Sequence, residues 1–216
     1  MESILVFGAS GHAKVIIDII EKQKKYQIKG IFVDTPNMVG TKLMGYPILG
    51  KIAEFYGSST KGIVAIGDNY GRSLVVNKIK SIDPNFTFVK AIHPNSIIGN
   101  DVKIGDGTVI AAGAVINTNT SIGENCIINT KSSVDHDSVI GAFSTVAPGA
   151  TIGGNVKIGD LSVISMGANV IQKINIGNGT LIGAGSTVIK DMPSRVLAYG
   201  IPAKVVRTRE INEKYV

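Results

Sequence analysis

Every sixth residue from Ile92 onward is isoleucine or valine: 92, 98, 104, 110, 116, 122, 128, 134, 140, 146, 152, 158, 164, 170, 176, 182 and 188. Seventeen hexads therefore run in phase without a slip. Neither an α-helix, with 3.6 residues per turn, nor strand alternation, with a period of two, generates this spacing. A chain that turns a corner every six residues does, and repeats of this kind must be found before any other reading is attempted. Three short parallel strands per coil would point each branched residue inward. Four residues on, the side chain is usually small: Thr108, Ala114, Thr120, Cys126, Ser132, Ser138, Ser144, Ala150, Ser162, Ala168, Thr180 and Ser186. Glycine follows many of the aliphatic residues, as in Ile98-Gly99 and Ile182-Gly183, and is expected to supply the corner conformations. The predicted object is a rigid prism with a full interior. Any reactant must then bind outside it.

Composition agrees. Aromatics are 6% of the 216 residues and tryptophan is absent, against 26 glycines, so an aliphatic core with many tight turns is expected. The net charge of +6 is scattered. Neither Lys22, Lys24 and Lys25 nor Lys204, Arg207 and Arg209 alternate with aromatics as a nucleic-acid platform would. No nucleic-acid partner is expected. A single cysteine excludes an internal disulfide framework and suits a reducing compartment. Met1 leads straight into a strand-like run, with no signal-peptide layout and no apolar stretch of membrane-spanning length. A cytoplasmic protein without membrane insertion is predicted.

Residues 1–82 read differently. Ile4–Phe7 is a buried strand, and Val15, Ile16, Ile19 and Ile20 recur with helical spacing up to about Lys24. Gly30–Asp34 and Gly62–Gly67 are further strands, and Asp68–Ile82 is a linking helix. This is a small α/β, Rossmann-like domain, followed at 83–216 by an all-β helix and tail. The turn Gly8-Ala9-Ser10-Gly11-His12 places amides and a helix N-terminus where an anion can sit. It is equally a tight strand-to-helix turn, and it lacks the full dinucleotide spacing. Asp34 can accept from a ribose hydroxyl or be a solvated loop acid.

His12, His93 and His136 are the imidazoles available as a general base. His93 precedes Pro94 at the start of the first hexad and reads as structural. His136 is third in the hexad Val134-Asp135-His136-Asp137-Ser138-Val139, so the phase turns it outward. It is either a surface histidine between two solvated acids or a base whose tautomer a carboxylate fixes. Cys126, in the small inward position, reads as packing rather than nucleophile.

The GASGHAK turn, an acid after the second strand, the AIGDN segment and the unbroken hexads together resemble the NeuD/PglD family of sugar O- and N-acyltransferases. The likeness extends over nearly the whole chain. It implies a left-handed β-helix, acetyl-CoA as co-substrate, no metal, and a homotrimer with active sites at subunit interfaces. It also implies N-acetylation of a UDP- or GDP-linked amino sugar by direct attack in a ternary complex, within glycan biosynthesis. O-acetylation of sialic acid or a related sugar is the near alternative, and a non-catalytic nucleotide sensor the remote one. A γ-carbonic-anhydrase-like zinc enzyme needs three converging histidines, and the spacing of His93 and His136 is not a whole number of coils. Carried across residue by residue, Ser10, Gly11 and His12 contact the sugar nucleotide, with Asp34 and Gly67 beside it. His136 is the base and Asp137 its partner acid, where one branch of the family has glutamate. Asn129 helps orient substrate. Thr145, Met166 and Ala184 border acetyl-CoA, although Thr145 stands where that branch has histidine. Lys204 either meets a CoA phosphate or is solvated.

Overall fold

The computed structural model describes residues 1–56 and 61–214. The first domain is built from β1 (Glu2–Phe7), α1 (Gly11–Gln23), β2 (Tyr26–Val33), β3 (Lys42–Leu43), β4 (Tyr46–Lys51), β5 (Lys61–Val64), α2 (Asn69–Ile82) and β6 (Thr87–Phe88). Its sheet runs β3-β4-β2-β1-β5-β6, parallel throughout except for the β3–β4 hairpin. The short β6 carries this sheet a few residues past the linking helix. Ile16, Ile17, Ile19 and Ile20 of α1 are buried, as the helical spacing of apolar residues requires.

The aromatic side chains overturn the expectation of a purely aliphatic core. Phe7, Phe32, Phe55, Phe86 and Phe88 form one cluster, with neighbouring ring centroids 5.1 to 5.8 Å apart. Val75, Val76 and Ile79 of α2 pack against this cluster. Rings at such distances add edge-to-face attraction to their buried area. A chain poor in aromatics has gathered most of its phenylalanines into one small domain.

From Ala91 the chain winds as a left-handed parallel β-helix of two-residue strands. Three sheets form its faces. The first contains Ala91–Ile92, Val109–Ile110, Ile127–Ile128, Thr145–Val146, Val163–Ile164 and Leu181–Ile182, and is continued by the hairpin Val196–Gly200 and Ala203–Thr208. The second contains Ser133–Val134 and the third Val139–Ile140, each with its neighbours one coil above and below. Ile110 and the aliphatic positions after it in the hexad series are 0 to 3% exposed. At the open end no coil lies beneath, and Ile98 remains 37% exposed.

The small inward residues do more than save space. Ser138 Oγ donates to Gly153 O at 3.1 Å and accepts from Val156 N at 3.1 Å. Ser144 and Ser162 repeat the pattern. Each hydroxyl thus satisfies a carbonyl and the amide of the next coil, which an alanine would leave unpaired. The glycine expectation also needs correcting. Gly105, following Ile104, has ordinary backbone angles, but a Cβ there would lie 2.5 Å from Glu124 N. Coil stacking excludes a side chain at that position. The left-handed corner conformations fall three residues after the aliphatic position, where glycine does supply them at Gly107, Gly113, Gly149, Gly167, Gly179 and Gly185, and Asp101, Asn119, Asp137 and Asn155 adopt them at φ of 56 to 60°. Asn and Asp tolerate this region better than other non-glycine residues.

Two contacts lock the domains together. Ala91, Val109 and Ala111 of the β-helix belong to the same apolar cluster as Ile16, Ile17 and Ile20 of α1. Arg72 of α2, 1% exposed, is the second. It donates to Ile66 O and Gly67 O of its own domain at 2.9 and 2.8 Å. Across the boundary it donates to Asn125 O and Phe143 O at 2.8 and 2.9 Å.

Candidate active site

Two cavities and one exposed imidazole account for most of the residues singled out by sequence. The first cavity, of about 410 Å³, opens at the carboxyl ends of β1, β2 and β5, between the Gly8–Ser10 turn, Val33–Thr35 and Ala65–Ile66. Open parallel sheets bind ligands at this edge, beside the strand where the order reverses. A Cβ on Gly8 would lie 2.8 Å from Ala65 O, and its φ is +120°, so only glycine lets β1 turn here. Ser10 occupies the N-cap of α1, but its hydroxyl makes no capping bond. Asp34 lines the same cavity and stands 3.9 Å from Lys78 Nζ, both groups largely exposed. Gly11 is exposed with open space around it.

Gly67 and His12 do not line this cavity, and a Cβ on Gly67 would lie 3.9 Å from His12 Cβ. Gly67 is held through its carbonyl by Arg72. His12 Nε2 is buried without a hydrogen-bond partner among the described residues. Burial, aided by the Arg72 charge, pushes its pKa down to about 4. This imidazole is neutral at pH 7 and a weak base.

The second cavity, of about 420 Å³, is a groove where the first face of the prism meets the second. It gathers Asn129, Thr145, Met166 and Ala184, with Ala147, Pro148, Val163 and Leu181 as apolar walls. Asn129 therefore sits with the residues assigned to the thioester, not with those assigned to the nucleotide. The Thr145 hydroxyl is engaged at 2.6 Å with Asn69 Oδ1, whose Nδ2 donates to Ser162 O. Lys204 lies outside the groove. It pairs with Tyr199 in the terminal hairpin, and Tyr199 packs on Gly183 at the groove's end.

His136 projects from the corner between the second and third faces, its side chain 49% exposed. Its Nδ1 is 2.7 Å from Asp137 Oδ2. Asp137 in turn accepts a longer bond, 3.4 Å, from Asn119 Nδ2 one coil below. The hydrogen bond to Asp137, then the charge of Asp135, raises the His136 pKa above the ordinary histidine value. That bond also lowers Asp137. The ring lies over Gly154, where a Cβ would fall 2.7 Å from Nε2. The Gly154 amide donates to no group among the described residues. Cys126 is buried, and burial raises its thiol to about 12, which leaves it without thiolate character. His93 is buried too, its Nδ1 accepting from Asn95 N at 3.0 Å.

Gly154, Asn69 and Arg72 were not singled out by sequence. Arg72 offered a signal in retrospect, since it falls on the inner stripe of α2 with Asn69, Val76 and Ile79. A charge in an apolar stripe needs an interior use.

Family models match residues 3–79 as a PglD N-terminal domain, and residues 91–118 and 119–154 as bacterial transferase hexapeptide repeats. The perosamine N-acetyltransferase of Caulobacter crescentus, solved with CoA and GDP-perosamine, superposes with a TM-score of 0.88 and 32% identity, over 96% of this chain and 98% of that one. The chain belongs to the NeuD/PglD family of sugar acyltransferases. Two other solved structures extend the likeness of this NeuD/PglD member. The acetyltransferase domain of PglB from Neisseria gonorrhoeae, in complex with acetyl coenzyme A, gives 0.87 and 30% over 95% and 99% of the two chains. WeeI from Acinetobacter baumannii gives 0.84 and 29% over 94% and 100%. No curated protein sequence matches the chain.

Replacing Gly154 with alanine places a methyl group inside the space of the imidazole. The ring must swing away while the fold and the groove stay intact. A fall in kcat of roughly 10²-fold is expected, the scale of a misplacement of about 1 Å. CoA affinity, followed by calorimetry, is expected to stay unchanged.

Proposed function

We propose that this NeuD/PglD member is an acetyl-CoA-dependent N-acetyltransferase of a nucleotide-linked amino sugar in glycan biosynthesis. It acts as a cytoplasmic homotrimer. The observation that carries this reading is the pairing of an outward imidazole, oriented by Asp137 at 2.7 Å, with a nucleotide-sized cavity at the strand ends of the α/β domain. The Caulobacter relative, solved with both CoA and GDP-perosamine, supports the same two ligands here. Ser10, Gly11, Asp34 and the elements around His12 and Gly67 hold the sugar nucleotide. The groove at Asn129, Thr145, Met166 and Ala184 holds the thioester, with Thr145 contributing its surface and not its hydroxyl proton. Lys204, opposite Tyr199 in the hairpin register, meets a CoA phosphate beyond the groove's end.

An angular mismatch supports a shared site and, with it, the trimer. His136 and the groove stand on different corners of one prism. A neighbouring copy that sets its groove against this corner completes the site, and a filled interior offers no other route.

In the reaction, the sugar amine attacks the thioester carbon and His136 Nε2 takes the amine proton. The N–C bond forms, the carbonyl oxygen gains charge, and collapse breaks the C–S bond to release CoA, which departs as the thiol with one proton. We assign the oxyanion to the Gly154 amide, which has no backbone acceptor among the described residues and belongs to the residue under the ring. No covalent enzyme intermediate is needed, consistent with the inert Cys126.

The base works only when neutral. Because its pKa is raised, activity falls as pH drops through a midpoint above the ordinary histidine value of about 6.5. Asp137→Asn removes the largest cause of that rise, so the acid limb of kcat/KM moves to lower pH. A limb that stays in place would remove Asp137 from the mechanism. The function itself is tested by incubating the protein with acetyl-CoA and a panel of UDP- and GDP-linked sugars, measuring thiol release and product mass. Release with amino sugars supports N-acetylation. Release only with hydroxyl acceptors assigns O-acetylation, and none with any sugar ends both readings.

A further inference from the structure

The backbone around His136 is held more firmly than its exposed ring suggests. Asp135 Oδ1 accepts the His136 amide at 2.8 Å and, from one coil below, Asn117 Nδ2 at 2.7 Å. The Asp135 carbonyl accepts from Thr120 Oγ1 at 2.9 Å, and the His136 carbonyl from Asn155 N at 2.9 Å. The peptide between residues 135 and 136 is thus anchored on both sides. Among the described residues, the ring's hydrogen bond is to Asp137. Of these ties, the Asn155 amide serves the coil stacking repeated along the prism, and Thr120 makes the hydroxyl-to-carbonyl bond that Thr108 and Ser138 also make. The Asp135 carboxylate, with Asn117 behind it, adds a side-chain tie of the kind that Asn129 makes to the Thr130 amide at the corresponding position of the preceding hexad.

We infer that Asp135 is a positioning residue: with Asn117 behind it, its carboxylate fixes the His136 amide so that the imidazole stays over Gly154 and against Asp137. This rests on the reading of His136 as the base. Two carboxylates flank one histidine and divide the work. Asp137 sets the ring, and Asp135 sets the peptide that carries it. Charge-assisted bonds from a backbone amide to a carboxylate are the stronger kind, and a base displaced by about 1 Å loses much of its rate.

The test uses the full-length protein at the alkaline plateau of its pH profile, where the imidazole is neutral whatever charge stands beside it. Asp135→Ala removes the acceptor, and kcat is expected to fall roughly 10–100-fold with KM for acetyl-CoA and sugar nucleotide unchanged. Asp135→Asn keeps an acceptor oxygen and is expected to run near the wild-type rate. Asn117→Ala should move kcat in the same direction as Asp135→Ala, by less. Thermal melting of each variant reports folding. An Asp135→Ala enzyme with normal kcat overturns the inference, as does an Asp135→Asn enzyme as slow as Asp135→Ala. A raised sugar KM in place of a lowered kcat also overturns it, by assigning Asp135 to substrate binding. His136→Ala run alongside separates the levels: if it alone is inactive, only the positioning role fails, and if it too is active, the base assignment fails.

Discussion

Replacing His136 with alanine is expected to lower acetyl transfer by roughly 10²–10⁴-fold, the usual contribution of a positioned general base, while leaving CoA affinity and thermal stability as they are. The side chain is half exposed and belongs to no apolar cluster, so its loss opens no cavity. Of the other imidazoles, His12 has a pKa of about 4 and holds a proton poorly. His93 is buried, with Nδ1 committed to a backbone amide. Neither can substitute. Structures of the Caulobacter relative in which a histidine is replaced by asparagine or alanine contain CoA and GDP-perosamine. In that relative, loss of the imidazole is thus compatible with binding of both ligands. Rate measurements under saturating ligands, paired with calorimetry, check the expectation. A fall of less than tenfold would place the base elsewhere.

The second large effect concerns Arg72. Its guanidinium serves five close acceptors: the carbonyls of Ile66, Gly67, Asn125 and Phe143, and Asn69 Oδ1. Arg72→Met keeps much of the volume and strands several of these oxygens without a donor. Buried polar groups left unsatisfied cost about 1–3 kcal/mol each. A loss of about 3 kcal/mol, or a fall in Tm on the order of 6–12 °C, is expected. Arg72→Lys recovers only part, because an ammonium is a point donor where the site uses a planar fork. Since the carbonyls lie on both domains, the variant should also raise KM for the sugar nucleotide more than for acetyl-CoA, because Ile66 lines the cavity proposed for the nucleotide. Differential scanning calorimetry and steady-state kinetics read the two effects. Unchanged melting would mean that the apolar contact at Ala91 and Val109 holds the domains without Arg72.

The hexad phase made the prism legible because a six-residue period admits so few shapes. It turned His136 outward and Cys126 inward, and the structure places both side chains so. Chemistry of individual residues was harder to read. Glycine after the aliphatic position looked like a corner requirement, yet at Gly105 the reason is the backbone of the next coil. That proximity, from Gly105 to Glu124, spans 19 positions in sequence and is invisible to local pattern. Arg72 and Asn69 were hidden for the same reason: their partners at Asn125, Phe143, Thr145 and Ser162 come from coils far along the chain. The aromatic cluster was hidden by averaging, since a low overall count says nothing about where the rings collect. At the groove, the sequence placed Thr145, Met166 and Ala184 together through family resemblance, but could not show that Asn69 already engages the Thr145 hydroxyl.

The central claim is that an imidazole on the outside of one prism acts on a thioester held by the next copy. Co-expression of two inactive variants tests it most directly. His136→Ala lacks the base, and Ala184→Trp fills the groove. Differently tagged and purified through both tags, the mixed oligomer contains sites built from an intact imidazole of one variant and an intact groove of the other. Recovery of sugar-dependent thiol release in that mixture is predicted, with neither variant active alone. A mixed oligomer that assembles and stays as inactive as its parents would contradict the shared site and, with it, the route proposed for acetyl transfer.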